Sequence, residues 1–171
     1  MTQGDIDATA IGILETTPAI LRALFAAATS DAAVDPRDEG WSAKDVLAHV
    51  VDVERGVIAE RVRRIVSEDR PFIRSIDPHA RLLDGGFASR AVESLLDELS
   101  ELRPAHVAWL RTLDPAQLGR PGEHDEAGEI TAGNIAHQWA YHDLMHIKQI
   151  ASMLQAGLVE RMGNTRRFYD V

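Results

Sequence analysis

Thr131-Ala132-Gly133-Asn134-Ile135-Ala136-His137-Gln138-Trp139-Ala140-Tyr141-His142-Asp143-Leu144-Met145-His146-Ile147-Lys148-Gln149-Ile150-Ala151-Ser152-Met153-Leu154 carries the clearest helical period in the chain. Residues three or four apart stack on one side of a helix, with about 6 Å of rise over a four-residue step. By that rule Ile135, Trp139, His142, His146, Gln149, Ile150 and Met153 share a face. The face is apolar apart from two histidines and a glutamine, so His142 and His146 are expected to point inward. An earlier segment repeats the pattern, with Val46, His49, Val50, Val53 and Val57 at the spacing of a core-facing stripe. His49 is thereby turned inward too.

A buried imidazole needs a partner for each ring nitrogen, and these stripes supply few hydrogen-bonding groups. One divalent ion would satisfy all three rings at once. Neutral imidazole is a common ligand for zinc, nickel, copper and ferrous iron, and a three-histidine set leaves coordination positions for water or substrate, as in catalytic sites. His49, His142 and His146 are therefore the expected ligands of one divalent metal ion.

Working outward, the chain divides into four long helical segments. The first is expected from about Ile6 to Ala28, with Ile11, Leu14, Leu21, Leu24 and Phe25 as its stripe. Pro18 either kinks it or starts its second half with Thr17 as cap. Asp31 to Gly40 reads as a loop. Ser42 then looks like an N-cap, with Asp45 completing an approximate capping box for a second helix that ends near Ser67. Arg70 to Gly86 has prolines and paired glycines but no period, and reads as a long crossing connection. A third helix is expected from about Ser89 to Leu113, kinked at Pro104, with Val92, Leu95, Leu96, Leu99, Leu102, Val107 and Leu110 facing in. Asp114 to Gly128 reads as loop. Thr131 is the expected cap of the fourth helix, which Gly157 ends. Strand signals are nearly absent. The reading is an all-α four-helix bundle in one domain over residues 1–171, with a long connection between helices two and three; helices two and four supply the ligands.

Composition sets bounds on function. With 171 residues the chain is long enough for a substantial core, and 45% hydrophobic with 26% charged residues is an ordinary globular mix. A net charge of -9 repels a phosphate backbone, so nucleic acid is not an expected partner. The cluster Arg61, Arg63, Arg64 adjoins Glu60, Glu68 and Asp69 and reads as a solvated helix face. There are 0 cysteines, which excludes disulfides, thiolate ligands and a cysteine nucleophile. The N-terminus lacks the basic start and apolar core of a signal peptide. No run reaches about 18 uninterrupted apolar residues. No membrane association is expected, and cytoplasm is the default compartment.

Trp41-Ser42-Ala43-Lys44-Asp45-Val46-Leu47-Ala48-His49 resembles the start of helix two in the DinB-like (DinB/YfiT) superfamily. His142-Asp143-Leu144-Met145-His146-Ile147-Lys148-Gln149-Ile150 resembles its helix-four signature, and the turn Gly128-Glu129-Ile130-Thr131 is similar too. The likeness runs in order from about residue 10 to 155. It implies a four-helix bundle in which His49, His142 and His146 match the superfamily's three metal ligands, and zinc or nickel as the metal. Members include transferases that use bacillithiol, mycothiol or glutathione, a mycothiol-dependent maleylpyruvate isomerase, and proteins with no assigned activity. The resemblance therefore implies a metal-dependent transferase acting on a small-molecule thiol and an electrophile. A metal ion lowers the pKa of a coordinated thiol, so a protein without cysteine can still do thiol chemistry.

Hydrolysis is the nearest rival, since the same ion can activate water. The zinc-protease pattern places Glu after the first histidine; here Asp143 stands there, with a shorter reach, and reads as a helix-surface carboxylate. Asp45 and Asp52 either orient His49 from behind or serve capping and surface roles. Gln138 and Gln149 either play similar parts or are polar residues at a bundle end. A non-catalytic, stress-associated metal-binding protein is the reading from another class; a fourth ligand from Asp45, Asp52 or Gln138 would favour it, and an open site favours the enzyme. His79 and His124 are read as loop residues, His106 follows Pro104, and His137 lies on a different face from His142; none is counted as a ligand. Trp41, Trp109 and Trp139 are read as packing, with Trp139 the best placed to wall a pocket. The resemblance also implies a homodimer. The tail from Arg161 to Val171, with Phe168 and Tyr169, would dock on a partner or on its own bundle.

Overall fold

Asp7 opens the first helix by accepting from the backbone N–H of Thr9 at 3.0 Å, and α1 then runs Ala8–Ala27. The structure is a computed structural model that describes residues 6–28 and 40–169; most of the Asp31 to Gly40 loop lies outside the described residues. Pro18 neither breaks α1 nor restarts it. Its missing N–H frees the carbonyl of Leu14, and the Arg103 guanidinium fills the gap, Nη1 donating to that oxygen at 3.0 Å. Thr17 is not a cap: it is buried and its hydroxyl donates to Ile13 O at 2.8 Å.

Ser42 and Asp45 form the capping box of α2, Ala43–Gly56. The second segment is not one helix, because Val57, after Gly56, takes φ -121 and ψ -72, and α3 starts afresh at Ile58–Ser67. The connection that follows is more structured than its sequence reads. It holds β1, Phe72–Ile73, and α4, Pro78–Asp84, capped by Asp77, and then a 3-10 turn, Phe87–Ser89. The third long helix, α5, spans Val92–Leu110 with Pro104 inside it.

A four-residue helix α6, Pro115–Leu118, leads into a hairpin where the sequence reads as loop. Strand β2, Pro121–His124, pairs antiparallel with β3, Gly128–Thr131, in the register Gly122↔Ile130, and parallel with β1. Pro and Gly are poor strand formers, which hides β2. Gly122 is needed for contact: a Cβ there would stand 3.0 Å from Ile65 Cγ1. Gly128 turns the hairpin at φ +71. Thr131 and Asn134 then box the start of α7, Ala132–Val159. Gly157 lies inside that helix rather than ending it, and a 3-10 segment, Glu160–Phe168, continues the chain. Phe168 and Tyr169 are exposed rather than docked on the bundle, and the last two residues of the tail lie outside the described residues.

The long helices form a four-helix bundle in which α1 packs on α5 and α7, and α2 also packs on α5 and α7. Two apolar clusters fill it. One joins Leu14, Val53, Val107 and Ala140; the other joins Leu21, Val46, Leu99 and Ile150. The order of these residues along each helix makes α1 and α7 run one way and α2 and α5 the other. Because α2 and α5 are parallel neighbours, the chain must travel back along the bundle between them, which is what the long connection does. Between the clusters lies a buried polar belt with a member from each long helix: Thr17, Glu54, Arg103 and Asp143. By length and composition α1 is apolar enough to cross a membrane; here its Leu14 and Leu21 are fully buried in the bundle.

Candidate metal centre

His142 and His146 lie one turn apart on α7, and α2 brings His49 against them. His49 Nε2 is 3.1 Å from His142 Nε2, and His146 Nε2 is 3.2 Å from the same atom. The three donor atoms all fall within 4.8 Å of one another. His49 and His146 are buried and His142 is half-buried. Among the described residues no other group of histidines and carboxylates gathers in this way.

The hydrogen bonds around the rings decide what the cluster can hold. His146 Nδ1 lies 2.8 Å from Gln149 Oε1, an acceptor, so Nδ1 carries the proton and Nε2 presents a bare lone pair to His142. A single hydrogen on His142 Nε2 satisfies only one of its two contacts. His142 Nδ1 is buried with no hydrogen-bond partner among the described residues, so the orientation of this ring rests on what its Nε2 meets. One cation at the centre satisfies all three nitrogens, and the residues present fit it. Burial, then the neighbouring His146, lowers the His49 pKa to about 4, against the opposing pull of Asp52. Burial, then His146 and His49, lowers that of His142 to about 2. His146 is lowered as well, again chiefly by burial. All three rings are neutral at neutral pH, the form that binds metal.

The candidate fourth ligands are otherwise engaged. Asp45 Oδ2 accepts from the backbone and hydroxyl of Ser42 at 3.0 and 2.7 Å. Both oxygens of the buried Asp52 accept from Arg81, each at 2.7 Å. Gln138 is exposed on α7. The triad's free side instead faces a cavity of about 620 Å3 lined by Trp41, His79, Met145, Lys148 and Met153 among others. Trp41 and Trp139 exchange the roles read from sequence. Trp41 lines the cavity, whereas Trp139 is buried and donates its Nε1–H to Glu54 Oε2 at 3.0 Å. His79 lies on α4 at the cavity edge, not in a loop.

Asp143 is not a surface carboxylate. It is 1% exposed, like Arg103, with which it pairs at 2.5 Å, and Arg103 also reaches Glu54 at 2.8 Å. His106 Nδ1 lies 2.8 Å from the other Glu54 oxygen. Burial pushes the Glu54 pKa up, but the bonds from His106 and Arg103 outweigh it and hold the group below its ordinary value. At Asp143 burial wins over Arg103 and the pKa is raised. The sequence carried a signal for this network, because Glu54 follows Val50 by one turn, Arg103 sits between Leu99 and Val107, and Asp143 follows Trp139. Each is an inward position. Their mutual pairing, across three helices, has no trace in one dimension.

The sequence model of the DinB superfamily matches residues 13–150. The chain belongs to the DinB superfamily. YfiT of Bacillus subtilis is 31% identical to this DinB chain over 147 residues, covering 84% of this chain and 81% of YfiT. A protein of Oceanobacillus iheyensis is 28% identical over 122 residues, covering 68% of this chain and 67% of the relative. The names of both relatives assign, without demonstrating, metal-dependent hydrolase activity. The solved structure of YfiT, described as a "probable metal-dependent hydrolase with an unusual four-helix bundle topology", superposes at a TM-score of 0.78 with 28% identity, covering 91% of this chain and 86% of YfiT. The four-helix bundle protein TT2238 shares the fold at a TM-score of 0.59 and 23% identity, covering 84% of this chain and 97% of TT2238.

Proposed function

We propose that this DinB protein is a metal-dependent transferase that activates a low-molecular-weight thiol, of the bacillithiol, mycothiol or glutathione type, at His49, His142 and His146. The observation that carries the reading is the open side of the triad. It faces a cavity in which, among the described residues, no carboxylate lines the wall. Hydrolysis of the zinc-protease kind uses a carboxylate base beside the metal-bound water, and the carboxylates nearest the triad in sequence are held by Ser42, Arg81 and Arg103. A divalent ion would lower the pKa of bound water as well as that of a bound thiol, but the thiol starts from about 8.5 and water from about 15.7, so a thiolate would form near neutral pH the more readily and with no base. The protein's part is geometric. Gln149 fixes the His146 tautomer, α2 and α7 hold the three Nε2 atoms together, and Trp41, Met145 and Met153 give the cavity an apolar wall that limits competing water.

Hydrolysis is the second reading, favoured by the names of the relatives. The test begins with metal content by plasma mass spectrometry on untagged protein, beside His49→Ala and His146→Ala. About one zinc or nickel per chain, lost in both variants, is expected. Conjugation of glutathione or bacillithiol to monochlorobimane is then compared with thiol-free hydrolysis of p-nitrophenyl acetate. Metal-dependent conjugation supports the proposal, and hydrolysis without any need for thiol turns it toward the second reading. Folded protein that takes up neither metal overturns both.

A further inference from the structure

Trp41 and His79 are 38 residues apart in sequence, yet Trp41 Nε1 lies 2.8 Å from His79 Nδ1. An indole N–H is a donor only, so the direction of this bond is fixed: Trp41 donates and His79 Nδ1 accepts. A neutral imidazole that accepts at Nδ1 carries its proton on Nε2. His79 is thereby prevented from serving as a fourth ligand through a bare Nε2 and made into a hydrogen-bond donor on the cavity wall. The Trp41 ring bridges the two histidines, its centroid 5.0 Å from His79 and 5.1 Å from His49.

The placement of His79 is built rather than incidental. Asp77 Oδ1 accepts from the backbone N–H groups of His79 and Ala80 at 2.9 and 3.1 Å. Two residues on, Arg81 grips Asp52 of α2 through both oxygens, and Leu82 is 7% exposed in the core. Lys148 also lines the cavity and has no ion-pair partner among the described residues. With Ser152 also on the wall and no carboxylate among the described lining residues, the charged and N–H groups around the open side of the triad are donors. Such a surface recognises an anionic oxygen group.

We infer that His79, held as an Nε2–H donor by Trp41, selects thiols that carry a carboxylate, with Lys148 adding its charge to the same recognition. The inference rests on the metal–thiol reading of the site and names the class of thiol that it takes. The test uses cobalt-loaded protein and two probes, 3-mercaptopropionate and its uncharged amide. The near-ultraviolet charge-transfer band of a cobalt-bound thiolate reports binding of each. Wild-type protein is expected to prefer the acid, and His79→Phe to lose about tenfold of that preference, the worth of one hydrogen bond to a charged group, while its cobalt content stays unchanged and its affinity for the amide falls by less. Trp41→Phe keeps a ring but removes the donor that fixes the tautomer, and is expected to lose preference in the same direction. His79→Gln, which retains an N–H, recovers part of it. Equal preference in wild type and His79→Phe overturns the inference and leaves the thiol reading standing. A band with neither probe in wild type overturns the thiol reading and the inference with it.

Discussion

His146 illustrates how a hydrogen bond on one side of a ring decides what the other side does. Gln149 Oε1 accepts a hydrogen bond from Nδ1–H, so Nε2 is left bare toward His142, and burial disfavours the charged form of every ring of the triad. The folded pKa values lie below the ordinary 6.5, at about 4 for His49 and about 2 for His142. The unfolded chain therefore binds more protons than the folded one below that pH, and the metal-free protein loses stability as the pH falls from 6.5. Metal uptake follows the same logic. Three unperturbed imidazoles would lose about a thousandfold in affinity between pH 7.5 and 5.5 through proton competition alone. The buried triad is expected to lose less than about tenfold, because His49 and His142 stay unprotonated across that range and His146 is lowered as well. Equilibrium dialysis with zinc at the two pH values measures this, and a thousandfold loss would show rings that titrate as solvated ones do. The triad itself was legible in the sequence, since His49, His142 and His146 all fall on apolar stripes. Asp143 was not, because a charge beside a ligand reads as surface until Arg103, from another helix, is seen to meet it.

Caps and breaks were legible element by element only where the partner lies within one turn. The boxes Ser42–Asp45 and Thr131–Asn134 are local and could be read from spacing, the first of them as a box and the second as a cap. The continuity of α1 through Pro18 depends on Arg103, 89 residues from Leu14, and the strands exist because β2 hydrogen-bonds to β1 across the crossing connection. Helix α4 belongs to this second class. At 7 residues it is too short to hold itself together, since isolated helices below about 12 residues are marginal in water. Its docking rests on buried Leu82 and on the Arg81–Asp52 pair, whose carboxylate is 7% exposed. Arg81→Ala removes the clamp and leaves a buried charge unpaired, which loosens α4 without touching a triad ring. Hydrogen–deuterium exchange over 77–84 is expected to quicken about tenfold or more, with metal stoichiometry unchanged. Unchanged exchange would assign the docking to Leu82 and the Trp41–His79 bond.

Across the whole molecule, the bundle is two apolar clusters separated by a polar belt; on α7 His142 adjoins Asp143 of that belt, and on α2 His49 lies among residues of the second cluster. The clusters give the fold an anchor at each end that does not depend on the centre. The belt is paired internally, Arg103 against Glu54 and Asp143, so it holds α5, α2 and α7 in register without an ion. Metal-free protein is therefore expected to stay folded. An ion at the triad would add a tie between α2 and α7, which run in opposite directions, and would stabilise the native state by mass action. At a free metal concentration a hundred times Kd that stabilisation is about 2.7 kcal/mol, which for a chain of this size raises Tm by about 5–11 °C. Differential scanning calorimetry with zinc and after exhaustive chelation should show that difference in wild type. It should vanish in His49→Ala, which removes the tie to α2 and leaves both clusters intact. A chelated protein that unfolds outright would show that the centre, rather than the two clusters, holds the bundle together. An equal Tm gain in His49→Ala would place the bound ion somewhere other than between α2 and α7.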